Sequence, residues 1–134
     1  MDKQLKTLCA LCDETRLRIY LLLAKGELCV CELTSILGME QSRISHCLNA
    51  LKAGGLVDCR REGKWIIYCE SAWAKQSAVV NALKAEAGLS EADLKNLVKS
   101  RKDKVRERCC IRASEASRKQ NGRELKWKNN RGGA

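Results

Sequence analysis

The sequence lacks the long hydrophobic runs that secretion signals and membrane spans require. Its first residues, MDKQLKTLCALCDETR, are charged throughout, and no later stretch approaches the roughly 18 consecutive apolar residues of a transmembrane helix. We therefore expect a cytoplasmic protein with no membrane partner. Thiols stay reduced in that compartment, so the nine cysteines are expected to be packing residues, metal ligands or redox sensors rather than disulfides.

The sequence patterns of thiol-dependent and phosphate-dependent enzymes are also missing. No Cys-x-x-Cys opens a helix after a strand, no glycine-rich loop cradles a phosphate, and the single histidine, His46, has no evident acid–base partner. A thiol-dependent reductase is an alternative that would explain the many cysteines. We predict instead that the chain is not an enzyme and has no cofactor.

Positive charge is concentrated late in the chain. Residues 101–134 hold 12 of the 26 basic residues and 4 of the 16 acidic ones. The first 100 residues are therefore almost balanced, and the net charge of +10 does not by itself locate a nucleic-acid surface. The basic tail is expected to be a disordered end, with a phosphate-binding role as the alternative.

Hydrophobic periodicity predicts a helix-turn-helix in the first half of the chain. Two N-terminal helices are followed by a short third helix, ELCVCELTSILG, which ends at Gly38, and by a tight link. A fourth helix over residues 42–53 carries one narrow apolar stripe made of Ile44, Cys47, Leu48 and Leu51. Two short helices joined by such a turn commonly place the second one in the DNA major groove.

A β-hairpin and further helices are predicted after residue 55. Two β-prone runs flank Glu62-Gly63, which suits a two-residue turn, and residues 72–87 favour a helix. A last helix, capped by Ser90, is predicted to run to Cys109-Cys110. The fold class is mainly α with a small β-hairpin, a winged helix-turn-helix of order α-α-α-α-β-β-α(-α).

Three regions are predicted from these patterns. Residues 1–90 form the winged helix-turn-helix domain for DNA binding and dimerisation, residues 91–112 a C-terminal helix ending in vicinal cysteines, and residues 113–134 the basic, disordered tail.

The polar face of the fourth helix and the hairpin tip are the predicted contacts with operator double-stranded DNA. Opposite the apolar stripe stand uncharged hydrogen-bonding side chains and one arginine, which suit base edges and phosphates. The helix residues are Gln41, Ser42, Arg43, Ser45, His46 and Asn49, and the hairpin residues are Arg60, Arg61 and Lys64. The alternatives are an ordinary solvated helix face and a solubilising turn.

Four segments together resemble the ArsR/SmtB family of metal-responsive repressors. They are CDETRLRIYLLL, ELCVCEL, SRISHCLNALKAGGLV and REGKWIIY, in that order over roughly residues 5–70. ELCVCEL looks like the inducer-binding signature of the arsenic-responsive branch. The resemblance implies a homodimer with terminal helices at its interface, bound to a partly symmetric operator and released by arsenite or antimonite.

Cys29 and Cys31 are the predicted inducer ligands. If both lie in a regular helix, their side chains diverge by about 200°, so shared ligation distorts the first turn. The helix N-terminus favours thiolates there. The alternative is that both are small buried hydrophobes.

The remaining cysteines are assigned different roles. Relatives that use a third thiolate supply it from the position of Thr34, so Cys109 and Cys110 are predicted to take part in metalloid binding, with an unstructured tail dithiol as the alternative. Other options are a third ligand from Cys9 or Cys12, or a two-thiolate site better suited to an organoarsenical. Cys9, Cys12 and Cys47 are otherwise expected in the core, and Cys59 and Cys69 are expected to be structural, on opposite hairpin faces.

The alternative to an arsenic-responsive repressor is a DNA-binding sensor of another soft metal or of thiol oxidation.

Overall fold

A computed structural model describes residues 2–107. In chain order the elements are α1 (Asp2–Leu11), α2 (Glu14–Lys25), β1 (Leu28–Cys29), α3 (Val30–Leu37), α4 (Gln41–Ala53), β2 (Val57–Glu62), β3 (Trp65–Glu70), α5 (Ala72–Gln76), α6 (Ala78–Glu86) and α7 (Glu91–Lys102). The predicted mainly helical winged helix-turn-helix is confirmed. Among the described residues no helix is long and apolar enough to cross a membrane.

Helix ends in the first half of the chain follow from local hydrogen bonding. The Asp13 carboxylate accepts the Arg16 N–H at 3.0 Å and caps α2. Gly38 ends α3 at φ 65°, a left-handed conformation that glycine adopts without steric cost. This sharp end turns the chain into α4 and so creates the helix-turn-helix.

The core forms where α2, α3 and α4 meet the base of the hairpin. The predicted stripe of α4 is confirmed, because Ile44, Leu48 and Leu51 are fully buried and Cys47 is 7% exposed. Side chains packed with it include Ile19, Tyr20, Leu22, Leu33 and Leu56. The stripe fixes the rotation of α4, so the opposite face of this helix is turned to solvent.

The sheet has three antiparallel strands in the order β1-β3-β2. The predicted hairpin is present, but its turn is Gly63-Lys64, because Glu62 pairs with Trp65. Gly63 takes φ 61°, which fits the first central position of a type II′ turn. The predicted Glu62-Gly63 turn would have paired Cys59 with Ile66. With the turn one residue later, Cys59 pairs with Tyr68.

The cysteines of α1 do not face the core. Thr7, Ala10 and Leu11 are the buried residues of this helix, whereas Cys9 and Cys12 are exposed. The prediction that they pack in the core was wrong. Their helical spacing correctly indicated an apolar stripe, but spacing cannot tell which stripe a helix turns toward its own core.

The C-terminal helices are shorter and more numerous than the sequence pattern predicted. Residues 72–87 form two helices because Ser77 takes an extended conformation and caps α6. The last helix stops at Lys102, and Lys104 has a left-handed φ of 49°. The prediction of one helix running to Cys109-Cys110 was therefore wrong at residues 103–104, and the two cysteines lie outside the described residues.

Helix α7 is fastened to the helix-turn-helix. The Arg18 guanidinium donates to both carboxylate oxygens of Asp93, at 3.0 and 2.8 Å. The Asn96 side chain donates to the Ile36 carbonyl at 3.1 Å, near the end of α3. Through these contacts α7 packs along α3 and brings the chain after it back to the start of that helix.

Candidate functional site

The outward face of α4 presents the polar side chains that the sequence predicts. Five of them are exposed, namely Gln41, Ser42, Arg43, His46 and Asn49, and Ser45 is half-buried. Arg43 also donates to the Thr15 hydroxyl at 3.3 Å, which holds its side chain near the start of α2. The face therefore offers mainly uncharged donors and acceptors, the chemistry that reads base edges.

The three basic residues of the wing, the β2–β3 hairpin, are not equivalent. Arg61 and Lys64 are exposed at its tip. Arg60 points to the other face of β2, where its guanidinium forms a bidentate ion pair with Glu27 at 2.6 and 2.5 Å. Neighbouring residues of a strand face opposite ways, so Arg60 is separated from Arg61, while Arg61 and Lys64 both remain exposed near the hairpin tip.

Cys29 joins the sheet to the helix-turn-helix. It is the last residue of β1, where it pairs with Ile67 of β3, and it is also the N-cap of α3. Its sulfur accepts the Glu32 N–H, and the Glu32 carboxylate accepts the Cys29 N–H at 3.1 Å. These reciprocal bonds form a capping box with cysteine in the place usually held by serine or threonine.

This position changes two expectations about the thiols. Cys29 has extended backbone angles, φ −92° and ψ 167°, so the helical rotation predicted between Cys29 and Cys31 does not apply. The expected activation of the thiolate by the helix N-terminus is also wrong for Cys29. Burial raises the pKa of its thiol, and the attraction of the Glu32 N–H and of Arg106 does not offset that effect.

We call the junction of β1 and α3, formed by Cys29 and Glu32, the Cys29 corner. Arg106, which follows α7 in the chain, covers this corner with an ion pair. The Arg106 guanidinium donates to the buried Glu32 carboxylate at 2.7 Å and to the Glu27 carbonyl at 3.3 Å. Cys31, in the first turn of α3, is half-buried. Within residues 2–107 no group of three or more histidine, cysteine or acidic side chains is arranged to hold a metal ion. A complete three-ligand site therefore needs movement or residues beyond this range.

Comparison with known proteins identifies the family. A family model described as "Bacterial regulatory protein, arsR family" matches residues 13–58. The "Arsenical resistance operon repressor" of Escherichia coli (strain K12) is 42% identical over 94 residues, covering 66% of this chain and 80% of that protein. The chain belongs to the ArsR family.

Another relative is named for resistance to cadmium rather than to arsenic. The "Cadmium resistance transcriptional regulatory protein CadC homolog" of Staphylococcus aureus is 43% identical over 60 residues, which is 44% of this chain and 50% of that protein. A homodimeric winged helix-turn-helix domain of Mycobacterium bovis, titled a possible ArsR-family regulator, is 36% identical with a TM-score of 0.54, covering 63% of this chain and 74% of that one.

Membership settles the general activity. The chain is a DNA-binding transcriptional repressor with a winged helix-turn-helix, and it is not an enzyme. The residues that contact DNA and inducer are not tested by this likeness and stay predictions. Sequence reasoning missed Glu32 and Arg106, although Glu32 stands three residues after Cys29 and so matches the spacing of a capping box.

Proposed function

We propose that this ArsR-family repressor acts in the cytoplasm as a homodimer and leaves its operator when Cys29 and Cys31 bind a trivalent arsenical or antimonial. The observation that carries the proposal is the position of Cys29, which ends β1 and caps α3, the first helix of the helix-turn-helix. Thiolates are soft donors and suit soft ligands of this kind. Binding at this corner acts directly on the motif that reads DNA.

We expect ligand binding to displace contacts that fix α3 and the wing. When both thiols bond to one atom, the Cys29 sulfur gives up the Glu32 N–H, or its β1 backbone shifts away from Ile67. Helix α3 packs against α4, and β1 pairs with the wing strand β3. A shift at Cys29 therefore reaches both predicted DNA-contacting surfaces.

The proton chemistry favours arsenous acid over a divalent cation. Burial raises the pKa of the Cys29 thiol, so this group stays protonated near neutral pH. When As(OH)₃ reacts with two thiols, each new As–S bond replaces an As–O bond, and the thiol proton leaves with the hydroxyl as water. No oxidation occurs. Cadmium instead requires the ligand thiols to lose their protons to solvent, which the raised pKa of Cys29 opposes.

The third ligand is proposed to come from Cys109 or Cys110. Both lie outside the described residues, but they follow Arg106 by three and four positions, and an extended chain covers about 3.5 Å per residue. Arg106 contacts Glu32, and a chain of three or four residues after it is long enough to span the distance to a neighbouring side chain. Supply from Cys9 or Cys12 is the competing source, and a two-thiolate site would instead favour methylated or aromatic arsenicals.

Operator release by two paired variants tests the proposal. Anisotropy of fluorescent DNA from upstream of the gene is measured while arsenite, phenylarsine oxide, cadmium or peroxide is added. The variant Cys29→Ser/Cys31→Ser is expected to bind DNA normally and to stay bound with every arsenical. Cys109→Ser/Cys110→Ser is expected to need more arsenite while responding normally to phenylarsine oxide.

Cys59→Ser/Cys69→Ser is the matched control, since it removes two half-buried thiols from the wing and is expected to respond like the native protein. Release of the Cys29→Ser/Cys31→Ser variant by arsenite would contradict the proposal. A native protein that responds to cadmium and ignores arsenite would favour a cadmium sensor, as the CadC relative suggests.

A further inference from the structure

The two faces of the wing differ in what surrounds them. In an antiparallel hairpin, residues that pair across the strands lie on one face, and successive residues of a strand lie on opposite faces. The register pairs Arg60 with Ile67 and Arg61 with Ile66, and we call these two sides of the wing the Arg60 face and the Arg61 face. Ile67 is fully buried, whereas Ile66 is 50% exposed. The Arg61 face therefore has a large apolar side chain open to solvent.

The Arg60 face carries an excess of negative charge. Arg60 is paired with Glu27 at 2.6 and 2.5 Å, and its guanidinium also lies 3.5 Å from the Glu62 carboxylate. Asp58, two residues before Arg60 on the same face, is exposed as well. Three carboxylates thus stand against one guanidinium, so this face repels a polyanion such as DNA.

The Arg61 face is turned toward α4 and keeps its positive charge. Lys52, in the last turn of α4, donates to the Cys59 sulfur at 3.2 Å. Cys59 shares its face of β2 with Arg61, two residues further along the strand. Arg61 and, at the tip, Lys64 are exposed, and within residues 2–107 neither of them forms an ion pair. This face therefore extends the exposed surface of α4 with uncompensated positive charge.

We propose that the wing contacts DNA through its Arg61 face alone, and that Ile66 is part of this contact. Arg61 and Lys64 bind backbone phosphates, which provide the electrostatic attraction to DNA. Ile66 packs against the deoxyribose carbons beside those phosphates, and burial of its exposed side chain adds affinity through the hydrophobic effect. Arg60 is also predicted as a DNA contact from the sequence, but its role is instead to hold the wing to Glu27. These contacts do not depend on inducer binding.

The salt dependence of DNA binding by two neighbouring arginine variants tests which face is used. Anisotropy of fluorescent DNA from upstream of the gene is measured with the full-length protein at several sodium chloride concentrations. Each phosphate contact that is lost lowers the magnitude of the slope of log K against log [NaCl] by about 0.9. Arg61→Met is expected to lower it by about that amount for each protomer bound. Arg60→Met, which removes the same side chain from the neighbouring position, is expected to leave the slope unchanged.

Ile66→Ala tests the apolar part of the contact. Because this substitution removes no charge, it is expected to weaken DNA binding by about tenfold at every salt concentration without changing the slope. Val98→Ala is the matched control, since Val98 of α7 is 53% exposed, and it is expected to bind DNA like the native protein. Sedimentation velocity is expected to give Ile66→Ala the same oligomeric state as the native protein.

The three variants have separate outcomes that would overturn the proposal. Arg61→Met could keep the native slope, Arg60→Met could lose as much slope as Arg61→Met, or Ile66→Ala could keep the native affinity. A changed oligomeric state of Ile66→Ala would overturn it as well, because the Arg61 face would then be a contact between copies of this chain. All three side chains are exposed, so each substitution is expected to leave the fold intact.

Discussion

The outward face of α4 and the Cys29 corner at the start of α3 belong to one helix-turn-helix, but they differ in exposure and in the contacts that fix them. On α4 five of the six predicted reading side chains are exposed, and within residues 2–107 only Arg43 among them has a side-chain partner, in α2. At the start of α3, Cys29 is 2% exposed and is tied to the sheet and to Glu32. The open surface is ready for a large partner. We expect the closed corner to give up contacts when it takes a ligand, so that binding there changes the structure.

The largest effect is expected on operator affinity, from substitutions on the exposed face of α4. The double substitution Ser42→Ala/Asn49→Ala removes two exposed hydrogen-bonding groups, and each base contact is worth about 1–3 kcal/mol. Operator affinity is expected to fall by about 100-fold, while the free energy of unfolding stays unchanged because neither side chain is buried.

Anisotropy with operator DNA and urea denaturation measure the two quantities. Gln76→Ala, at an exposed polar position of α5, is the control and is expected to retain native affinity. A double variant that binds operator as tightly as the native protein would show that α4 does not read bases through these residues.

A smaller effect, on stability rather than DNA affinity, is expected at the closed corner. Glu32→Ala leaves the Cys29 N–H and the Arg106 guanidinium without their shared acceptor. We expect a loss of about 2 kcal/mol in the free energy of unfolding. Glu32→Gln keeps an acceptor for the N–H and is expected to lose about half as much. Urea denaturation of both variants measures this, and a fully stable Glu32→Ala protein would mean that the corner is not held by its capping box.

The smallest effect is expected for the Arg18–Asp93 ion pair, whose contribution to the free energy of unfolding depends on pH. The hydrogen bond from Arg18 lowers the pKa of Asp93 below its ordinary value of 3.8. The folded state therefore favours the ionised carboxylate, and this contribution is complete above the ordinary pKa and lost as pH falls through the lowered one. Because Arg18 is partly exposed, we expect Asp93→Asn to cost only about 1 kcal/mol at pH 7.

Urea denaturation at pH 7, 5 and 3 measures this difference. The gap between native protein and Asp93→Asn should narrow toward pH 3. Glu91→Gln, at an exposed position of the same helix, should show no such trend. A gap that is constant with pH would mean that the Asp93 charge does not hold α7.

The sequence alone was sufficient for those parts of the fold that depend on local pattern. The α4 stripe follows from apolar spacing, and the turn into α4 follows from Gly38. The two-residue strand β1 could not be predicted, since it exists only because β3 lies beside it. The hairpin register could not be predicted either. Both Glu62-Gly63 and Gly63-Lys64 suit a tight turn, and the observed register depends on the pairing of β2 with β3.

For the candidate site, the sequence predicts candidate residues but not their surroundings. ELCVCEL pointed to Cys29 and Cys31, but it did not indicate that Cys29 is buried with a raised thiol pKa. Burial beside β3 raises this pKa, whereas Arg106, which lies 74 positions after Glu32, acts against the rise. Contacts so distant in the chain leave no periodic signal in a single sequence.

The two-residue strand β1 also bears on how such a sensor can be altered. The proposed inducer ligands and the capping acid fall within four consecutive residues, Cys29 to Glu32, while the reading helix begins nine residues later, at Gln41. We expect a different ligand set placed in this short segment to act through the same contacts with β3 and α4. We therefore expect inducer selectivity to be changeable without altering the residues of α4.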